Sequence, residues 1–350
     1  MKKRILCAIL ALVMTLSMGM PALAAGNTYH DVPDTHWAAQ SIERAAQLGI
    51  FHGVNSTTFG LGQAISRAAF VTALVRLFGW ETVESEHGTF HDVAPGTWYY
   101  AAVETAVKNG AIAASGKNFR PNDPLSRSDM ASMIIRALGY TSLAGLVSGY
   151  DCSFSDVTAN KGFITMAYDM GIVGGIGNGK FDPSGTASRE QAAVILVRVY
   201  DRLYAGNSQI ASVGTRTAVR VETPAAREED DLPTTPLEPI ADLYDVLRRL
   251  RESGSDMSSA VLCLNGGGVR TTVSAQGRII SADTLSAEQV SLILSRSDVH
   301  TYYSRRHESA YCVYEPNPYQ TVTVWYQSEE SMAAKLQLAR MFGVTYYVIE

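Results

Sequence analysis

The feature that most limits what this chain can become is an internal repeat. The segment Tyr29-His30-Asp31-Val32 returns as Phe90-His91-Asp92-Val93 and again as Phe154-Ser155-Asp156-Val157. Behind each copy stands an apolar stripe: Ile42, Ala45, Ala46 and Gly49, then Val103, Ala106, Val107 and Gly110, then Ile164, Ala167, Tyr168 and Gly171, each set 61 residues after the last. A +3, +4, +7 spacing puts these residues on one face of a helix, and the closing glycine suits a left-handed C-cap. A loop with Phe59, Phe119 or Phe181 follows, turn-rich through Pro121, Asn122, Asp123 and Pro124 in the second copy and through Asn178, Gly179 and Pro183 in the third. Second helices are predicted to start at Ser66-Arg67, Ser126-Arg127 and Ser188-Arg189. One helix–loop–helix cannot bury its apolar face alone, whereas three together make a shared core. The repeats are expected at about residues 28–80, 88–140 and 152–203, filling the region 25–201.

Residues 1–24 read as a signal peptide. Lys2, Lys3 and Arg4 form a basic start, Ile5 to Met20 is an apolar run of about 16 residues, and Ala22-Leu23-Ala24 is a cleavage signal. The run is short of the roughly 20 residues that span a bilayer, and no later segment reaches that length, so no transmembrane segment is expected. Cleavage leaves 26 Lys and Arg against 34 Asp and Glu. An acidic chain of this kind argues against a nucleic-acid partner, and any anionic ligand needs locally placed cations. No spacing of His or Cys suggests a metal, and no cofactor is implied. The glycine-rich residues 174–179 lack a Walker lysine–hydroxyl pair and read as a flexible turn. Cys263 and Cys312 are open either to pairing in an oxidising compartment or to burial as free thiols.

The F-x-D-V opening, the Trp that follows it, the amphipathic helix ending in Gly-Ile and the Ser-Arg helix start together resemble the S-layer homology module. The resemblance covers about residues 28–201 in three tandem copies. It implies a mostly α region built as a pseudo-threefold spindle, exposed on a cell surface. It also implies binding of secondary cell-wall polysaccharide attached to peptidoglycan, often through pyruvylated N-acetylmannosamine.

A pyruvyl ketal offers a carboxylate, and Arg meets a carboxylate with two parallel hydrogen bonds while staying charged. Arg67, Arg127 and Arg189 stand at the first position of their helices, where the helix dipole also favours an anion. The resemblance gives these three the ligand contact. Trp37 and Trp98 lie six residues after Asp31 and Asp92, and an indole can cover an apolar sugar face. Asp31, Asp92 and Asp156 are candidates to accept sugar hydroxyls or to orient an Arg. Structural roles compete at every position: the Ser-Arg motif is partly a capping box, the Trp residues suit a core, and the Asp residues suit caps. Arg76, Arg136 and Arg198 recur nine residues further on and read as a solvated or ion-paired face. The family's acidic residue in the helix-start motif is Ala69 in the first copy, Asp129 in the second and Gln191 in the third. The third copy also has a shorter entry loop without Trp, so the three grooves are expected to be unequal.

Residues 206–238 read as a linker, with scattered Thr and Pro and the charged run Arg227-Glu228-Glu229-Asp230-Asp231. Order resumes over 239–350 as a small α/β (α+β) domain: a helical stripe at Ile240, Leu243, Leu247 and Leu250, then alternating strands and helices. Leu285–Val290, Ala310–Tyr314, Val324-Trp325-Tyr326, Ser331 and Lys335–Ala339 resemble the end of a chitinase-like barrel of the family-eighteen glycosidases. That family's D-x-x-D-x-D-x-E strand is missing, and about 110 residues cannot form an eight-stranded barrel, which needs roughly 200 or more. Glu308, Glu315, Glu329 and Glu330 fall in turns or at a helix start, which is poor placing for a proton donor. The expectation is a noncatalytic protein anchored to the cell wall. A cell-wall glycosidase-related protein acting on peptidoglycan, or a subunit that assembles with surface-layer proteins, is the alternative.

Overall fold

A computed structural model describes residues 28–350 apart from 84, 86, 205, 222–226, 230, 231, 235 and 236. The expected signal peptide lies outside the described residues. The first repeat holds helices α1 (Ala39–Gln47) and α2 (Arg67–Phe78), and the second holds α3 (Tyr100–Lys108) and α4 (Arg127–Ala137). A short helix, α5 (Thr141–Val147), comes next, before α6 (Lys161–Asp169) and α7 (Arg189–Tyr204) of the third. The second helix of each repeat starts on a serine. Ser66 and Ser126 accept from the N–H groups of Ala69 and Asp129 at 3.2 and 3.0 Å. Ser188 and Gln191 cap each other reciprocally. The capping role read from the sequence is therefore real, and it leaves the neighbouring Arg side chains available for other work.

The repeats close on one another through the backbone. Leu125 donates to the Ile65 carbonyl at 2.8 Å, Ala187 to Leu125 at 2.9 Å, and Ile65 to Ala187 at 3.0 Å, so three hydrogen bonds form a ring. All three residues are fully buried, and around them Phe59, Phe119 and Phe181 fill the core with the helix stripes. Each bond in the ring needs the other repeats in place, because these N–H and C=O groups have no water to turn to.

The remainder is α/β, as expected, but it is not held apart by a linker. Within 206–238, strands β1 (Gln209–Ile210) and β2 (Ala218–Val219) join a four-stranded parallel sheet, and β3 (Arg227–Glu229) pairs with β4 (Leu232–Thr234) as a hairpin. Helix α8 (Ile240–Glu252) leads to β5 (Val261–Leu264), and the parallel sheet is completed by β11 (Tyr346–Ile349) in the order β1-β11-β5-β2. Between them lie β6 (Gly268–Ser274), β7 (Ile279–Leu285), helix α9 (Ala287–Leu294), β8 (His300–Ser304), β9 (Ser309–Asn317), β10 (Gln320–Tyr326) and helix α10 (Glu329–Phe342). The five strands form an antiparallel sheet in the order β7-β6-β10-β9-β8. Cys263 and Cys312 sit one in each sheet as free buried thiols.

The two halves share a core. Helix α10 packs on α7 and α8, and α5 packs on α8. Leu243, Tyr244, Leu247, Leu338, Met341 and Phe342 lie in one apolar cluster with the repeat residues. Polar contacts reinforce it: Gln337 donates to the Leu138 carbonyl at 3.0 Å, Arg202 to that of Met341, and Tyr244 to the Asp169 carboxylate. The segment read as a linker thus lends short strands to the sheets, with Val219, Leu237 and Glu238 buried and most of its other described residues at least partly exposed.

Candidate functional site

Three equivalent junctions link each repeat to the next. Arg67 donates its Nε to the Phe119 carbonyl at 2.9 Å, Arg127 to that of Phe181 at 2.9 Å, and Arg189 to that of Phe59 at 2.8 Å. Each guanidinium also lies over aromatic rings of the receiving loop, at 5.0 Å for Arg67 on Phe119, 4.6 Å for Arg127 on Phe181 and 4.7 Å for Arg189 on Phe51. Sequence reasoning found the Arg residues but missed the acceptor, because a backbone carbonyl leaves no mark in side-chain chemistry. The recurring Phe was the available signal.

Asp31, Asp92 and Asp156 hold those loops. Asp31 accepts from the N–H groups of Phe59, Gly60 and Leu61 at 2.7 to 2.9 Å. Asp92 accepts from Phe119 and Arg120, both at 2.7 Å, and Asp156 from Phe181 and Asp182 at 2.9 and 2.8 Å. Burial pushes the Asp31 carboxyl up, but its three N–H donors more than offset this and hold it below the usual value. The partners seen at all three Asp residues are backbone N–H groups of these loops. Each Asp fixes the loop whose Phe carbonyl receives the preceding repeat's Arg, with the last repeat feeding the first.

The junctions differ in charge. Arg67 is ion-paired with Asp129 at the start of the next repeat's second helix. The equivalent position facing Arg127 is Gln191, and that facing Arg189 is Ala69. Those two guanidinium groups bond to carbonyls instead, Arg127 to Gly174 and Arg189 to His52, both at 2.7 Å. Burial lowers the affinity of both for their protons, against the pull of more distant carboxylates. A cleft of about 510 Å³ is lined by Tyr29, Glu43, Gln47, Asn55 and the His52 whose carbonyl accepts from Arg189; Arg189 itself does not line it.

Trp37 and Trp98 are 64% and 65% exposed, so neither plugs the core. Their rings rest on the adjacent His36 and Tyr99 rather than on the junction guanidinium groups. The later arginines are not a solvated face throughout: Arg136 lies 4.4 Å over Phe163, and Arg198 bonds to the carbonyls of Gly171 and Ile172. Among the described residues no three His, Cys, Asp or Glu side chains gather as metal ligands, and no helix is long and apolar enough to cross a membrane.

A family model for the S-layer homology domain matches residues 28–71, 89–131 and 153–193. The chain is 33% identical over 181 residues to an amylopullulanase of Thermoanaerobacterium thermosulfurigenes, covering 50% of this chain and 10% of that protein. It is 23% identical over 231 residues to the S-layer protein sap of Bacillus anthracis, covering 66% of this chain and 28% of that one. The chain therefore spans a minor part of these relatives. Among solved structures, the spore cortex-lytic enzyme SleL of Bacillus megaterium aligns with a TM-score of 0.29 and 17% identity, over 38% of this chain and 36% of that one.

Proposed function

We propose that this chain, which carries three S-layer homology domains and is a cell-surface protein, is a noncatalytic anchor held to the wall by a pyruvylated secondary polysaccharide. Arg127 and Arg189 are the principal anion contacts. The observation that carries this is the contrast between junctions: two guanidinium groups are held by carbonyls with no carboxylate at the facing position, while Arg67 is already neutralised by Asp129. Arg127 is partly exposed and Arg189 only 7% exposed; each guanidinium keeps its charge and its remaining donors for a carboxylate ligand, and exclusion of water strengthens that contact. Asp31, Asp92 and Asp156 position the loops. Trp37 and Trp98 supply exposed aromatic surface for sugar rings.

Retention of the mature chain on purified sacculi tests the reading. Binding is expected to fall on stripping the polysaccharide, to fall at least tenfold in the Arg127→Ala, Arg189→Ala double variant, and to change little in Arg67→Ala. Equal retention of the double variant removes the role given to these residues. The same protein incubated with peptidoglycan fragments should release no product. Turnover would favour the glycosidase-related alternative, and ordered self-association of the purified chain would favour a surface-layer subunit.

A further inference from the structure

A cavity of about 310 Å³ lies in the seam between the third repeat and helix α8, walled by Ser153, Tyr168 and Asp169 on one side and by Arg248, Arg251 and Glu252 on the other. Val173, another wall residue, precedes the Gly174 whose carbonyl receives Arg127. Its charges are unevenly committed. Arg248 pairs with Glu252 at 2.9 Å and faces Asp169 at 3.7 Å, and Asp169 also accepts from Tyr244. Arg251 makes no ion pair within 4 Å among the described residues; its guanidinium packs against Gly171, where a Cβ would stand 2.4 Å from Nη2. The same glycine gives its carbonyl to Arg198. Arg202 is close enough to feel both Arg198 and Arg251 and donates to the Met341 carbonyl. Arg198 and Arg202 stand behind the lining with donors on carbonyls, so in the cavity itself two guanidinium groups face two carboxylates, and Arg251 is the one of the two Arg without a carboxylate within 4 Å among the described residues.

We propose that this seam cavity binds an acidic sugar, with Arg251 as the anion contact. The chemistry of the walls fits that class better than a bare phosphate. Tyr168, 38% exposed, offers an aromatic surface for a pyranose. Ser153, Asp169 and Glu252 offer partners for sugar hydroxyls, which a bare phosphate lacks. The second half of the chain would then contribute an anion contact of its own. That the sugar comes from the wall polysaccharide rests on the function proposed above, whereas the placing of Arg251 in the seam does not.

The test is calorimetric titration of the mature chain with a ketal-pyruvylated hexosamine disaccharide and, separately, with a glycerol-phosphate oligomer. Arg251→Ala should weaken the disaccharide at least tenfold, Arg251→Lys should recover part of the loss, and neither should move the thermal midpoint by more than a degree or two. The proposal is overturned if the disaccharide binds Arg251→Ala as tightly as the parent, if it does not bind the parent, or if only the phosphate oligomer responds to the substitution. Arg127→Ala separates the two readings. Loss of affinity there with none at Arg251 leaves the junction and removes the seam, and the reverse pattern leaves the seam and removes the junction.

Discussion

Asp31 serves its site by holding a loop. Three backbone N–H groups converge on one carboxylate, and Asp31→Ala should cost about 2 kcal/mol in urea unfolding, since hydrogen bonds to a charged group each contribute roughly 1.5–3 kcal/mol before solvent exposure weakens them. Its folded-state pKa is below the unfolded one, so its contribution is complete above the unfolded value near 3.8 and disappears as pH falls through the lower folded value. Asp31→Asn should flatten that acid limb. A different residue governs the alkaline side. Lys335 is fully buried, donates to the Leu237 carbonyl and Gln327, and lies 3.6 Å from Glu238; burial brings it down to about 8 despite that partner. The unfolded chain therefore binds the proton more tightly, and stability should rise from about pH 8 towards 10 relative to a Lys335→Met, Glu238→Gln double variant. Lys335→Met alone leaves a buried acid unpaired and should cost about 3–5 kcal/mol, while the double variant should be near neutral. None of this was legible at Lys335, whose partner lies 97 positions away and was assigned to the linker.

Helix starts and the order of elements after residue 239 could be read from the chain, because capping serines and apolar periodicity are local signals. Helix α5 could not. It has seven residues, no side-chain cap, and exists by packing on α6. That contact depends on Gly162: a Cβ there would stand 1.8 Å from the Ala144 carbonyl oxygen, a backbone atom that cannot swing aside. Gly162→Ala should therefore destabilise by about 2–4 kcal/mol despite the better helix propensity of alanine, as measured by thermal unfolding. Strands β1 and β2 escaped notice for a related reason. Two residues carry no periodicity, and each becomes a strand only because β11 or β5 supplies the neighbour.

The docking of the two halves was invisible in the sequence, since its contacts pair residues as distant as Asp169 with Tyr244 and Leu138 with Gln337. A continuous core predicts one cooperative transition. Phe342 is 1% exposed and meets Tyr244 at 5.6 Å, so Phe342→Ala should cost about 3–5 kcal/mol and lower the midpoint reported by probes in both halves together. Separate transitions for the two halves would show that the shared core is not thermodynamically continuous. The ring through Ile65, Leu125 and Ala187 has a further meaning for how such a protein can change over time. An open stack of modules grows by duplication of one unit at its free end, whereas a closed circle has no end to add to. A lineage needing a firmer grip must copy the whole trio or alter the clefts it already has, and loss of one member undoes the other two.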